Sequence, residues 1–166
     1  MARLVLVGLS GVGKTTVARA IADKWQIRYL DTDDMIAESV GRPAPQYLRD
    51  EGEGTFRARE LKELIIALSS NSVVATGGGV VCTPEARDLL KTEPTYWLDC
   101  PDDEIVPRLG EVERPLLGGH PVEGIARLRN ERSGWYREVS RARVDASGTI
   151  DEVVARVRAN VEGVRA

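Results

Sequence analysis

Gly8-Leu9-Ser10-Gly11-Val12-Gly13-Lys14-Thr15 has the spacing of a phosphate-binding loop, in which four residues separate a glycine from Gly-Lys-Thr. Glycines let successive backbone N–H groups turn inward around an anion, the lysine reaches the β- and γ-phosphates, and the threonine hydroxyl can bind Mg²⁺. An apolar, strand-like run (residues 3–7) precedes the loop, and residues 15–25 carry apolar side chains at helical spacing. A loop between a strand and a helix N-terminus predicts a nucleotide-binding site, because the helix dipole and its unpaired N–H groups favour phosphate.

The composition indicates a cytoplasmic protein that acts on small molecules. With 166 residues, the chain (1–166) is expected to form a single domain without a metal or disulfide staple. The sequence has no run of roughly 18 or more apolar residues, and its first apolar segment leads directly into the P-loop, so neither a membrane span nor a signal peptide is expected. A net charge of −3 argues against a nucleic-acid partner, and a monomer is expected. Cys82 and Cys100 lack zinc or redox spacing and are expected to be buried thiols.

Strand-like and helix-like segments alternate along the whole chain. The strand-like segments are residues 4–7, 27–30, 73–75, 95–98 and 143–144, and the helix-like ones are 15–25, 32–69, 84–91, 102–108, 122–132 and 150–161. Such alternation predicts an α/β fold with a parallel sheet and helices on both faces, because parallel strands connect only through crossovers. Ligands of such sheets bind outside the carboxyl ends of the strands.

Two carboxylates follow the second predicted strand in Asp31-Thr32-Asp33. They should lie at the same sheet edge as the P-loop, where one carboxylate can help to hold Mg²⁺ and another can accept the proton of an attacking hydroxyl. The alternative is a helix N-cap, since Asp and Thr commonly begin helices. The two interpretations are compatible.

Two further motifs are ambiguous when each is considered alone. Arg57 has Glu60 one helical turn later, which can hold a guanidinium in place or form an ordinary surface ion pair. Gly77-Gly78-Gly79 follows a strand and lets a ligand approach the backbone closely, although a tight turn is the simpler explanation.

The least regular stretch, residues 109–121, is predicted to be a mobile lid. Arg114 within it can swing over the phosphates and neutralise developing charge, or it can be a solvated loop residue. The following helix carries several arginines, most of them expected on a solvated face and one of them able to reach the cleft. His120 is the only histidine, which argues against a histidine base or a multi-histidine metal site.

Taken in order, these motifs resemble those of the shikimate kinase family from Arg3 to about Val161. The residues that carry the resemblance are the P-loop, Asp31-Thr32-Asp33, Gly52-Glu53 with Phe56-Arg57 and Glu60, Gly77-Gly78-Gly79, Arg114-Pro115-Leu116-Leu117, and Glu131-Arg132 before Tyr136. The resemblance implies a three-layer α-β-α P-loop fold with a five-stranded parallel sheet. It also implies transfer of the γ-phosphoryl group of ATP to the 3-hydroxyl of shikimate, with Mg²⁺ required.

The resemblance also implies a role for each matching residue. Asp31 is expected to hold the metal through water, together with Thr15. Asp33 is expected to bind the shikimate hydroxyls and to act as the base. The shikimate carboxylate is expected to lie between Arg57 and Arg132, with Gly78 contacting the substrate and Glu60 supporting Arg57. The ATP-binding residues implied are Gly11, Val12, Gly13, Lys14, Thr15, Thr16 and Arg114, of which Lys14 and Arg114 join Asp33 as catalytic groups.

The chain departs from the family pattern at three places. Pro107 stands where an adenine-contacting arginine is usual, with Arg108 adjacent and left unassigned. The loop Ala146-Ser147-Gly148-Thr149 has no side-chain signature for a base, and Trp135 replaces the usual leucine before Tyr136. Arg137 is a rival to Arg132, and the match to the family's R-x-x-L-Y pattern decides for Arg132.

Two other functions remain as alternatives. One is a kinase of another small hydroxy acid, such as gluconate. The other is a nucleotide-dependent switch, although the [NT]-K-x-D motif of GTPases is missing from the sequence.

Overall fold

The computed structural model describes residues 1–109 and 120–163. Five strands alternate with helices in these residues. The strands are β1 (Leu4–Val7), β2 (Arg28–Asp31), β3 (Ser72–Ala75), β4 (Thr95–Asp99) and β5 (Ala142–Asp145). The helices are α1 (Lys14–Trp25), α2 (Thr32–Val40), α3 (Ala44–Leu68), α4 (Pro84–Thr92), α5 (Asp102–Arg108), α6 (Pro121–Val139) and α7 (Ile150–Gly163), with a short 3-10 helix at Val80–Cys82.

The five strands form one parallel sheet in the order β2-β3-β1-β4-β5. Val5 pairs with Val74 of β3 on one side and with Thr95 of β4 on the other, so β1 lies at the centre. The predicted α/β fold with a five-stranded parallel sheet between two helical layers is confirmed. On one layer α1 packs against α7, and on the other α4 packs between α3 and α6.

All four residues of β1 and all four of β3 are buried, as expected for strands covered on both faces. Their side chains belong to one large apolar cluster that also includes Ile21 of α1, Leu64 of α3 and Val157 of α7. This core fixes the carboxyl ends of β1, β2 and β3 at one edge, and the functional loops extend from that edge.

The long helical region predicted between residues 32 and 69 is two helices with a break between them. α2 ends at Gly41, whose φ of +71° suits a helix C-cap. α3 is itself interrupted at Gly52, where φ is +83°. A second apolar cluster of Ile36, Ala44, Tyr47 and Phe56 packs α2 against the first half of α3. The part of the fold that carries Asp33 and Arg57 therefore has a small apolar core of its own.

Several predicted boundaries were wrong by short distances, of which those of β2 and α6 bear on the site. β2 begins and ends one residue later than expected, so Asp31 is the last residue of the strand as well as the N-cap of α2. α6 continues seven residues past the predicted end at Arg132 to Val139, because Tyr136 and Val139 are buried on the same face of the helix. In the part of the chain described here, no helix is long and apolar enough to cross a membrane.

Candidate active site

The P-loop is built from one continuous segment between β1 and α1. Gly8, Gly11 and Gly13 have φ values of +144°, +86° and +100°, a region in which L side chains are strained. A Cβ on Gly8 would overlap the carbonyl oxygen of Leu98 in β4, so this glycine is also needed for close packing. The Lys14 ammonium donates hydrogen bonds to the carbonyl oxygens of Gly8 (2.8 Å) and Leu9 (2.9 Å), which folds the side chain over the loop.

Asp31 is held by donors from three different residues. Its Oδ2 accepts from the Thr15 hydroxyl at 2.7 Å and from the Tyr29 hydroxyl at 3.1 Å, and its Oδ1 accepts from the Asp33 amide at 2.9 Å. Burial, reinforced by the Asp31 carboxylate, raises the pKa of Tyr29, so its hydroxyl stays protonated and can donate. The Asp31 side chain caps α2, which confirms the N-cap interpretation, and it also lies beside the P-loop threonine.

The oxygen atoms of Thr15 and Asp31 fit Mg²⁺ better than a softer metal. Mg²⁺ prefers oxygen ligands and is usually bound by one or two carboxylates together with substrate phosphates and water. Within residues 1–109 and 120–163, no group of three or more histidine, cysteine, aspartate or glutamate residues could hold a metal ion. Thr15 and Asp31 therefore suit a metal whose remaining ligands are mainly nucleotide phosphates and water.

Each glycine of Gly77-Gly78-Gly79 is closely approached by a different neighbour. A Cβ on Gly77 would lie 2.7 Å from an oxygen of Asp33 and 2.8 Å from an oxygen of Glu60. A Cβ on Gly78 would lie 3.0 Å from the amide nitrogen of Ser10 in the P-loop, and one on Gly79 would overlap the Arg57 guanidinium. The three glycines thus allow the groups from separate segments to converge, which a simple tight turn would not need.

Arg57 and Glu60 form a largely buried pair beside these glycines. Arg57 Nη1 donates to Glu60 Oε2 at 2.7 Å, and Nη2 donates to the more exposed Glu53 at 3.1 Å. Glu60 is only 2% exposed, and burial raises its pKa although Arg57 and Arg132 both oppose this. The Nε atom of Arg57 and the second carboxylate oxygen of Glu60 are buried without a hydrogen-bond partner.

Arg132 reaches the same region from α6. It is 4% exposed, its Nε has no hydrogen-bond partner, and its charge acts on Glu60, Cys82 and Tyr136. Two guanidiniums therefore face one buried carboxylate at this end of the site. The other carboxylates that contact them, Glu53 on Arg57 and Glu131 on Arg132, are about half exposed, so the buried part of the cluster holds two guanidiniums and one carboxylate, which suits an anionic ligand group.

Tyr136 joins α6 to the glycine loop. Its hydroxyl donates a hydrogen bond to the carbonyl oxygen of Gly78, and its ring stacks on Trp97 of β4 with centroids 5.8 Å apart. Burial raises the pKa of Tyr136, so the hydroxyl remains a donor. This hydrogen bond fixes the orientation of the Gly78 carbonyl group.

A cleft of about 450 Å³ lies at the P-loop. Its lining includes P-loop residues 10–16, Asp31, Asp33 and Gly78, together with Arg108, Ala146, Gly148, Ile150 and Val153. Arg108 Nη1 lies 3.3 Å from the carbonyl oxygen of Ala146 and 3.5 Å from that of Val12, so it bridges the P-loop and the β5–α7 loop.

The structure brings most of the sequence-predicted residues to one edge of the sheet. Asp31, Asp33 and the P-loop share the cleft, and Arg57 and Arg132 are linked to it through Glu60 and the glycine loop. Arg137 is exposed, in contrast to the buried Arg132. Arg114 and residues 110–119 of the expected lid lie outside the described residues.

Sequence reasoning missed two hydroxyl donors and left Arg108 unassigned. Tyr29 stands two residues before Asp31 on the same face of a strand, and that spacing was available as a signal. Tyr136 and Gly78 are 58 positions apart, and no local pattern connects them.

Comparison with known proteins gives a consistent result. The family model described as shikimate kinase matches residues 10–162. A shikimate kinase of Streptomyces avermitilis is 39% identical over 155 residues, covering 92% of this chain and 91% of that protein. The structure is similar to that of shikimate kinase from Acinetobacter baumannii in complex with shikimate, with a TM-score of 0.93, 30% identity, and coverage of 98% of this chain and 93% of the other.

A gluconokinase from Sinorhizobium meliloti is a more distant neighbour. Its TM-score is 0.61 at 21% identity, with coverage of 97% of this chain and 91% of the other. At that level the likeness concerns the fold alone.

Proposed function

Since the chain belongs to the shikimate kinase family, we propose that its cleft transfers the γ-phosphoryl group of ATP specifically to the 3-hydroxyl of shikimate. The ATP-dependent phosphorylation of shikimate is the function of this phosphotransferase, and it serves the shikimate pathway and aromatic amino acid biosynthesis. The proposal concerns the position that is phosphorylated and the roles of the residues.

The observation that carries the proposal is the pair of largely buried guanidiniums around Glu60. Arg57 and Arg132 place two guanidiniums around the one buried carboxylate of Glu60, near Gly78 and at the edge of the sheet that also carries the P-loop, while their other partners, Glu53 and Glu131, are about half exposed. An acceptor with a carboxylate at one end and hydroxyls at the other fits this arrangement. Its carboxylate lies between the guanidiniums while its hydroxyls face Asp33.

Asp33 is the proposed base and Lys14 the proposed phosphate ligand. The Asp33 carboxylate takes the proton of the acceptor hydroxyl as the new oxygen–phosphorus bond forms. The bond between the γ-phosphorus and the β–γ bridging oxygen breaks, and ADP leaves with that oxygen. Lys14 exchanges the carbonyl oxygens of Gly8 and Leu9 for phosphate oxygens, which places its charge on the transferring group.

Thr15 and, through water, Asp31 are proposed to hold Mg²⁺. When bound, the metal neutralises phosphate charge and orients the β- and γ-phosphates. The three donors on Asp31 keep its carboxylate oriented before any ligand arrives. The remaining ATP-binding residues of the proposal are the amides of Gly11, Val12 and Gly13, the side chain of Thr16, and Arg114.

The proposal also covers the organisation of the protein. It takes residues 1–166 as one kinase domain with a lid at about 109–121, acting as a monomer in the cytoplasm on two small molecules. The large hydrophobic side chains exposed in the described ranges are Met1, Ile65, Ile66, Val122 and Ile150, which come from four separate places in the chain. Sedimentation of the purified protein tests the monomer.

A coupled assay for ADP release tests the function. MgATP is incubated with shikimate, with gluconate, with other hydroxy acids, and without an acceptor. ADP release that depends on shikimate alone, with the product identified as shikimate 3-phosphate by ³¹P NMR, is the expected result. Release with gluconate alone would overturn the roles of Arg57 and Arg132, and release with no acceptor would favour a nucleotide switch.

A further inference from the structure

Arg129 lies on α6 one helical turn before Arg132 and makes three side-chain hydrogen bonds. Its Nε donates to Asp102 Oδ1 at 2.7 Å, its Nη1 to Asp99 Oδ1 at 2.6 Å, and its Nη2 to the carbonyl oxygen of Cys100 at 2.7 Å. Asp99 ends β4, Cys100 follows it, and Asp102 is the first residue of α5. One guanidinium thus binds α6 to the end of a central strand and to the start of α5.

Asp99 is buried and is also bound by a second arginine. It is 3% exposed, and its other oxygen accepts from Arg143 Nε at 2.9 Å and is 2.8 Å from Arg143 Nη2. A carboxylate buried this deeply is stable only when its partners are in place, so loss of either arginine leaves it poorly compensated. The preceding residue, Leu98, supplies the carbonyl oxygen against which Gly8 of the P-loop packs. The contact between Arg129 and Asp99 therefore attaches α6 to the part of the sheet that supports the P-loop.

The position of α6 determines where Arg132 lies. α6 touches β4 at two places, through Arg129 on Asp99 and through Tyr136 stacked on Trp97, and Arg132 lies between them on the helix. α5 and α6 also pack against each other and are consecutive along the chain. A shift of α6 by a fraction of an ångström would be passed directly to the buried guanidinium of Arg132.

We propose that Arg129 is a positioning residue for the acceptor site, which sets the distance between Arg132 and the P-loop by fixing α6 to β4 and α5. The proposal rests on the proposed function, in which Arg132 binds the acceptor carboxylate. All three nitrogens of the Arg129 guanidinium group are bound to Asp99, Asp102 and Cys100, so it acts through Arg132 and not on substrate. An arginine is needed because its planar fork reaches three acceptors in different directions, which an ammonium on a flexible stem does not do.

A residue that only stabilises the fold and a positioning residue predict different outcomes. Loss of the first lowers the melting temperature and the fraction of active protein, and the molecules that remain folded keep their affinity for shikimate. Loss of a positioning residue raises the KM for shikimate in folded protein, because Arg132 no longer meets the carboxylate in the best geometry.

The experiment compares Arg129→Lys and Arg129→Gln with wild type and with the matched control Arg137→Gln. Arg137 is an exposed arginine on the same helix. Shikimate KM, kcat and the Kd of ADP are measured on each folded protein. We expect the shikimate KM to rise about tenfold in Arg129→Gln and less in Arg129→Lys, with ADP affinity unchanged and Arg137→Gln like wild type. A shikimate KM within twofold of wild type in folded Arg129→Gln would overturn the proposal.

Asp102→Ala serves if Arg129→Gln does not fold. The Asp102 side chain is 32% exposed, and its loss removes the contact to α5 while leaving the buried Asp99 paired. We expect a smaller rise of the shikimate KM in the same direction, and an unchanged KM would count against the proposal. Absence of shikimate-dependent ADP release from wild type would instead reject the proposed function, and the positioning role with it.

Discussion

The nucleotide end and the acceptor end of the proposed site are constructed differently. The nucleotide end depends on one contiguous segment, Gly8 to Thr15, in which backbone conformation and main-chain N–H groups do most of the binding. The acceptor end depends on side chains from α2, α3 and α6 that meet at the glycine loop. A local motif can bind phosphate in many proteins, whereas the charges that we propose to select the acceptor have positions that depend on the whole fold.

The difference has a consequence for mutations. Changes at the acceptor end should alter the KM for shikimate or kcat and leave nucleotide affinity intact, and changes at the nucleotide end should do the reverse. Variants of Asp33, Gly79 and Arg108 test that separation, with progressively smaller expected effects on the kinetic constants.

Asp33→Asn should have the largest effect. Removing the proposed base should lower kcat by about 10²- to 10⁴-fold, while the Kd of ADP stays within twofold because the P-loop is untouched. The control is Asp34→Asn, which removes the neighbouring exposed carboxylate of the same helix and should keep kcat within a few-fold of wild type. Similar losses in the two variants would show that the effect comes from the charge of the segment and not from a base.

Gly79→Ala tests the close approach of Arg57. The added Cβ would overlap the guanidinium, so Arg57 must move away from the acceptor site, and the shikimate KM should rise about tenfold or more. Gly134→Ala on α6 is the control, since its Cβ would meet nothing within 4 Å and alanine favours a helix. An unchanged shikimate KM in folded Gly79→Ala would contradict the assigned role of Arg57.

Arg108→Met tests the nucleotide end. The side chain bridges the carbonyl oxygens of Val12 and Ala146. Its loss should therefore loosen the cleft around the nucleotide and raise the ATP KM about three- to tenfold. The shikimate KM should not change. A rise in the shikimate KM of the same size would show that the two ends are coupled.

Glu152→Gln should have the smallest effect and a distinctive pH dependence. Glu152 and Thr149 form a capping box at the start of α7, with the Thr149 amide 2.8 Å from the Glu152 carboxylate and the Glu152 amide 3.3 Å from the Thr149 hydroxyl. The hydrogen bond from the Thr149 amide lowers the pKa of Glu152 below its ordinary value of 4.5. Its ionised form therefore stabilises the fold fully above pH 4.5, and this contribution is lost as the pH falls through the lower, folded-state pKa.

Thermal melting across pH measures this contribution. The variant should melt slightly below wild type at neutral pH, and the gap should narrow as the pH falls below 4.5. A gap that stays constant or widens in acid would contradict the role of the charge.

The sequence was sufficient for the features that depend on local patterns. The P-loop, the alternation of strands and helices and the pairing of Arg57 with Glu60 all have short spacings, so periodicity and motif chemistry predict them. The break at Gly41 was also readable as a C-cap glycine but was absorbed into a longer helical pattern. The capping box of Thr149 and Glu152 has a local signature too, in a loop that offers no side-chain signature for a base.

The remaining features depend on contacts between distant residues. Tyr136 reaches Gly78 across 58 positions, and Arg129 reaches Asp99 across 30. Whether an arginine on α6 faces solvent or the core depends on how α6 packs on β4, and residue type alone does not specify that. The reasons for three successive glycines became clear only when Asp33, Ser10 and Arg57 were found against them.

The central claim is that the two largely buried guanidiniums select the acceptor by its carboxylate. The most direct measurement is kcat/KM for shikimate and for its methyl ester, in wild type and in Arg132→Lys. We expect wild type to prefer shikimate by about 100-fold or more, and this preference to fall at least about tenfold in the variant with the ATP KM unchanged. Equal use of the acid and the ester by wild type, or the same preference in Arg132→Lys, would contradict the claim.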